Sequence, residues 1–162
     1  MKPASVKDLK TELIYKSKEE LVDLCLTMGK YKKENKELLT YLLFEQQDEA
    51  EYIKEIKFEV DGLFSELNYS SYYQSTKGVR KVLRLVKKYI RYSKKKETEV
   101  ELLIYFCSKV KSILEYFEYN STLLSIYEKQ LEMVQKKIKS LHEDLQYDFR
   151  LMIEEELGIN AE

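Results

Sequence analysis

The sequence predicts an all-α protein: an elongated bundle of about six helices, two of them long, with an N-terminal helical hairpin. Three observations predict it. Turn formers are scarce, with four Gly and one Pro in 162 residues, fewer than the turns of a sheet protein of this size require. Apolar residues recur at steps of three and four over long stretches, the period of amphipathic helices. Charged residues make up 35% of the chain against about 25% in an average domain. With 44% hydrophobic residues and regular apolar spacing, that charge reads as solvated helix faces rather than disorder. Trp is absent and Tyr occurs 14 times. A tyrosine packs its ring while its hydroxyl stays wet, which suits a bundle with little deep interior.

The elements follow in order. A first helix over 5–15 carries Val6, Leu9, Leu13 and Ile14 on one face. Ser17-Lys18-Glu19-Glu20 has the Ser-x-x-Glu form of a capping box and starts a second helix through Leu21, Val22, Leu24, Cys25 and Met28, ended by Gly29. From about 31, Leu39, Leu42, Gln46, Glu49, Ile53, Ile56, Val60, Leu63 and Leu67 hold one heptad phase. That phase predicts one continuous helix over 31–67, roughly 55 Å long at 1.5 Å per residue. Ser71-Tyr72-Tyr73-Gln74 caps a helix over 71–93 with Val79, Val82, Leu83, Val86, Tyr89 and Ile90 inward. Thr98, with Glu101 three residues on, starts another that runs to about Phe117. Asn120-Ser121 caps the last, which keeps heptad phase from Leu124 to Met152 except at Asp148 and stops at Gly158.

The connections are short, so neighbouring helices should be antiparallel. The chain reads as a single helical domain over 1–162, with residues 1–30 as a hairpin packed on the long helices. Tracing the lengths places a polar waist where two layers of the bundle meet. It gathers Glu45, Asp48 and Glu49, the loop lysines Lys94, Lys95 and Lys96, and His142, Glu143 and Asp144.

Charge is divided unevenly. Residues 77–96, KGVRKVLRLVKKYIRYSKKK, hold ten bases and no acid, in a chain of formal net charge −1. At 100° per residue, Lys77, Arg80, Lys81, Arg84, Lys87, Lys88 and Arg91 fall within about 120° of arc, opposite the apolar positions. An amphipathic helix must put polar groups outside, and Lys and Arg are good helix formers. A complete lack of acids over the 30 residues between Glu66 and Glu97 exceeds what solubility asks. The expected contact residues are Arg80, Arg84, Lys87, Lys88 and Arg91. Lys94, Lys95 and Lys96 are expected to neutralise the acidic waist instead.

Several functions are excluded or left without support. His142 is the single histidine, whereas a di-iron bundle needs two Glu-x-x-His pairs. An Arg-x4–6-His ribonuclease pattern is missing, since no Arg precedes His142 at that spacing. Cys25 and Cys107 lie in apolar periodic segments, fit no metal spacing and have no Gly-rich turn around them. No phosphate-cradling Gly-x4-Gly-Lys loop is present. The first two helices match a SAP-like DNA-binding hairpin in Leu9-Lys10…Leu13 and Ser17–Val22, but lack its Gly-Leu turn. No catalytic residue, metal ligand or cofactor is assigned.

MKPASVKDLK has no apolar core of a signal peptide, and no run approaches the ~20 apolar residues of a membrane span. A cytoplasmic location is expected. The function expected is a non-enzymatic interaction module, with an acidic protein partner on the basic face of 71–93. The alternative is nucleic-acid binding by the same face, with Tyr69, Tyr72, Tyr73, Tyr89 and Tyr92 near its ends for stacking. An anionic membrane surface fits less well, and a homo-oligomer is compatible with such a face.

The segments Lys36–Glu45 (KELLTYLLFE), Thr98–Leu103 (TEVELL) and Leu141–Tyr147 (LHEDLQY) resemble a group of small, uncharacterised, helical bacterial proteins. That resemblance implies an all-helical domain and brings no activity with it.

Overall fold

The computed structural model describes residues 1–117 and 121–159. The described residues are helical with no strand, as the spacing predicts. They form eight α-helices and one π turn rather than six helices, in two compact units, Met1–Glu45 and Gln46–Glu162.

The first unit holds α1 (Val6–Ile14), α2 (Lys18–Tyr31), α3 (Lys33–Thr40) and the π turn Tyr41–Glu45. Ser5 and Ser17 each form a full capping box, with Asp8 and Glu20 respectively. The Ser17 backbone N–H, followed by Lys16, holds the Glu20 carboxyl below its usual value. Helix α2 runs through Gly29 to Tyr31, so Gly29 does not end it. A Cβ at Gly29 would stand 3.4 Å from Leu39, and Asn35 Nδ2 donates to Met28 O at 2.8 Å, which sets α2 closely against α3. None of the residues of α1, α2 or α3 is buried, and Tyr41 is the one buried side chain of this unit.

The second unit holds α4 (Glu49–Ser65), α5 (Tyr72–Ser93), α6 (Lys96–Tyr116), α7 (Ser121–Ile138) and α8 (Glu143–Leu157). Helix α6 is its centre and packs against α4, α5, α7 and α8. Its buried side chains include Val100, Leu102, Leu103, Ile104, Phe106, Cys107, Val110, Ile113 and Leu114. At 100° per residue these cover about 200° of its circumference, too wide for a helix lying on the outside of a bundle. From Thr98 to Lys111 no residue is exposed. The surrounding helices bury single stripes: Tyr52, Ile53, Ile56, Val60 and Phe64 of α4, and Val79, Val82 and Val86 of α5. Phe64 and Phe106 meet with ring centroids 6.0 Å apart.

The continuous helix expected over 31–67 is interrupted, and with it falls the layer geometry drawn from its length. The chain turns at Gln46-Gln47, and Asp48 starts α4 afresh by accepting from the Glu51 N–H at 3.1 Å. Asp is a strong N-cap, so the polar run that keeps heptad phase is a new helix start. The last helix is likewise two. Residues 139–142 break it, and His142 caps α8, its Nδ1 accepting from the Asp144 N–H at 3.4 Å. Gly158 ends α8 in the left-handed conformation, φ 61°, as expected of a C-terminal glycine. The expected cap Asn120 lies outside the described residues. Helix α6 starts at Lys96 rather than near Thr98, and neither Thr98 nor Glu101 caps it.

Polar contacts clamp α4 to α6. Asp61 accepts from Lys109 at 2.7 Å and from the Tyr105 hydroxyl at 2.6 Å, while Lys57 pairs with Glu101 at 2.6 Å. Burial alone would raise the Asp61 carboxyl, but the bonds from Lys109 and Tyr105 outweigh it and hold it below its usual value. The bond to Asp61 raises the Lys109 ammonium, and burial raises the Tyr105 phenol.

Since the unit depends on α6, Phe106→Ala should destabilise it by about 3–5 kcal/mol in a denaturant titration. Phe58→Ala, at a ring 81% exposed on α4, should stay within about 0.5 kcal/mol of the parent. Equal effects at the two positions would contradict the central placement of α6.

Candidate functional site

Helix α5 owes its start to Ser71, whose Oγ accepts from the Gln74 N–H at 3.3 Å, and its end to Lys94, which takes φ 59°. Between these ends its sequence gives it the most one-sided polarity of the unit. The valine stripe faces inward, and Lys77, Arg80, Lys81, Arg84 and Arg91 are all exposed. Lys87 and Lys88 are half-buried at the edges. Lys87 Nζ lies 4.0 Å from Met133 Sδ, and Lys88 Nζ stands 4.5 Å from the Tyr89 ring centroid.

Among the described residues, no carboxylate pairs with Lys77, Arg80, Lys81, Arg84 or Arg91. Elsewhere in this unit the lysines divide: Lys94, Lys96, Lys111, Lys129, Lys136 and Lys139 form no ion pair among the described residues, and five others do. Lys54, Lys57, Lys95, Lys109 and Lys137 each meet a carboxylate within 3.0 Å. Among the described residues, the five exposed cations of the basic face are therefore not neutralised by a carboxylate.

Two shallow grooves flank it. One, of about 500 Å³, is lined by Tyr73, Thr76, Leu83 and four cations, Lys77, Arg80, Arg84 and Lys87. Tyr73 is 70% exposed, and the Thr76 hydroxyl is buried without a hydrogen bond of good geometry. The other, of about 290 Å³, lies towards α4 and includes Leu63, Leu67, Gly78 and Lys81. Glu66 lines it without forming an ion pair with those cations. A Cβ at Gly78 would approach Leu67 Cδ2 to 2.2 Å, so glycine there lets α5 come close to the chain leaving α4.

The residues expected at the waist are only partly gathered. Glu49 and Lys95 do meet: Lys95 Nζ lies 2.9 Å from Glu49 Oε2. Glu49 Oε1 also accepts from the hydroxyls of Ser93 and Thr98, the latter at 2.6 Å. One carboxylate at the start of α4 thus holds the α5–α6 turn. Ser93 and Thr98 were not expected in this role, although two hydroxyls flanking a lysine loop are a legible sign of an incoming carboxylate. Lys96 donates to Ser140 O at 3.4 Å rather than to an acid. Lys94 forms the left-handed turn. Asp48 serves as a cap, and Glu45 ends the π turn of the first unit. Glu143 is exposed at the start of α8. His142 Nδ1 lies 3.5 Å from Asp144 Oδ2, and both side chains are largely exposed.

No group of three His, Cys, Asp or Glu that could hold a metal occurs among the described residues. Burial pushes the Cys107 thiol up to about 12, leaving it protonated and unreactive. Among the same residues, no helix is long and apolar enough to cross a membrane. The chain matches no family model, no curated protein and no solved structure.

Glu49 and Lys95 separate local structure from the basic face. Glu49→Ala leaves two part-buried hydroxyls and a lysine without their acceptor and should cost about 1–3 kcal/mol in thermal or chemical unfolding. Lys95→Gln removes a half-exposed partner and should cost about 0–1 kcal/mol. A larger loss from Lys95→Gln than from Glu49→Ala would show that the pair, not the hydroxyl network, holds the turn.

Proposed function

We propose that this protein is a non-enzymatic interaction module that binds an acidic segment of a partner protein on the outward face of α5. One observation carries the reading: five exposed cations gather on a single face of α5, and none of them pairs with a carboxylate among the described residues. A row of cations stepping once per helical turn suits carboxylates at the same pitch of about 5.4 Å. Leu83 and Tyr73 beside the row offer apolar contact that a protein segment can use. Pairs on such a face act mainly on association rate and specificity, and salt weakens them.

Nucleic-acid binding by the same face is the second reading, and the exposed Tyr73 ring among cations favours it, since bases stack on such rings. One experiment separates the two. Fluorescence anisotropy at ~50 mM salt compares a labelled peptide with Glu at helical spacing and a labelled single strand. The peptide should bind, lose affinity as salt rises, and lose binding altogether with Arg80→Glu, Arg84→Glu and Arg91→Glu, at unchanged helical circular dichroism. Lys95→Gln should bind like the parent. Tighter binding of the single strand, abolished by the same reversal, moves the reading to nucleic acid. Peptide binding insensitive to the reversal overturns the assignment of the face.

A further inference from the structure

We infer that the acidic partner of α5 is a second copy of this chain, whose α8 presents the complementary face; this rests on the reading of α5 above. Helix α8 buries Phe149, Ile153 and Leu157. At 100° per residue, Asp144, Tyr147, Asp148, Leu151, Glu154 and Glu155 fall on the opposite side within about 120° of arc. That arc contains no base. Its carboxylates are exposed, and none of them meets a lysine or arginine among the described residues. Tyr147 and Leu151 are 64% and 40% exposed. The α8 face is thus an acidic helical segment with apolar members, the chemistry that the α5 face and its flanking groove accept.

The two faces match in period and extent. Both place one charge or more on each turn, about 5.4 Å apart, and span about three to four turns. Tyr147 and Leu151 of one copy can lie along the groove of Tyr73 and Leu83 in the other. Among the described residues, neither the exposed cations of α5 nor the carboxylates of the α8 face meet an opposite charge on another helix. Both helices turn their buried sides to α6, and none of the five exposed α5 cations pairs with a carboxylate among the described residues. A net charge of −1 adds almost no general repulsion between copies.

Because donor and acceptor faces differ, the contact is heterologous: each copy keeps one free face of each kind, so assembly continues into chains or closes as a ring. A single helix pair covers less than a standard interface. The association is therefore weak and dependent on salt.

Sedimentation velocity of the full chain tests this over a range of concentrations at ~50 mM and ~1 M salt, where the screening length falls below about 4 Å. The sedimentation coefficient should rise with concentration at low salt and stay at that of a 19.5 kDa monomer at high salt. Arg80→Glu, Arg84→Glu and Arg91→Glu together should give monomers, as should Asp144→Lys, Asp148→Lys and Glu155→Lys together. A mixture of the two variants should associate again, since the α8 face of the first meets the α5 face of the second and the two reversed faces complement each other. A chain carrying both sets should associate again, which also shows that the reversals leave the fold intact. A parent chain that stays monomeric at low salt overturns the inference, as does association that survives the α8 reversal. If that monomer still binds the acidic peptide, the reading of α5 stands and the copy-to-copy contact alone falls; if it binds neither, both fall.

Discussion

The width of the apolar surface on α6 governs the second unit. Some 200° of arc must leave water, and fully burying each Leu, Ile or Phe is worth about 1.5–3 kcal/mol. No single neighbour can cover so wide a surface, so α4, α5, α7 and α8 surround it. Each of those helices needs one apolar stripe and is left with a polar exterior. The polarity of α5 follows from this position: valines to α6, cations to solvent.

That arrangement also explains how charge is distributed. Where two polar flanks meet, opposite charges pair, as in Lys57 with Glu101, Lys109 with Asp61 and Lys137 with Glu99. These contacts lie at the edges between helices and clamp α6 to α4 and α7. On the outer face of α5 the five exposed cations meet no carboxylate among the described residues. The centre of the outer face of α8 is left in the same state with the opposite sign. Both faces come from one cause, the one-sided packing of helices around α6.

Much of this was legible in the residues. Ser17 and Ser71 marked two helix starts, and Gly158 marked an end, because capping is a local effect of one side chain on nearby backbone. The α5 stripe was legible because its period and its lack of acids are both properties of the sequence. The breaks at 46–48 and 139–142 were not read, since heptad phase persists across both. A local competitor decided each: Asp48 capping α4 and His142 capping α8. The central place of α6 was missed although the run Leu102-Leu103-Ile104-Tyr105-Phe106-Cys107 has too many adjacent apolar residues for one face. The pairing of Glu49 with Ser93 and Thr98 joins residues 44 and 49 positions apart, a distance no local pattern reports.

Native-state hydrogen exchange tests most directly the claim that everything in this unit rests on α6. Amides from Leu102 to Leu114 should exchange only through global unfolding, with opening free energies equal to that of the whole unit and a full response to denaturant. Amides on α5, α7 and α8 should open at equal or lower cost. Exchange of the α6 amides by local opening, ahead of those in α4 or α7, would contradict the account.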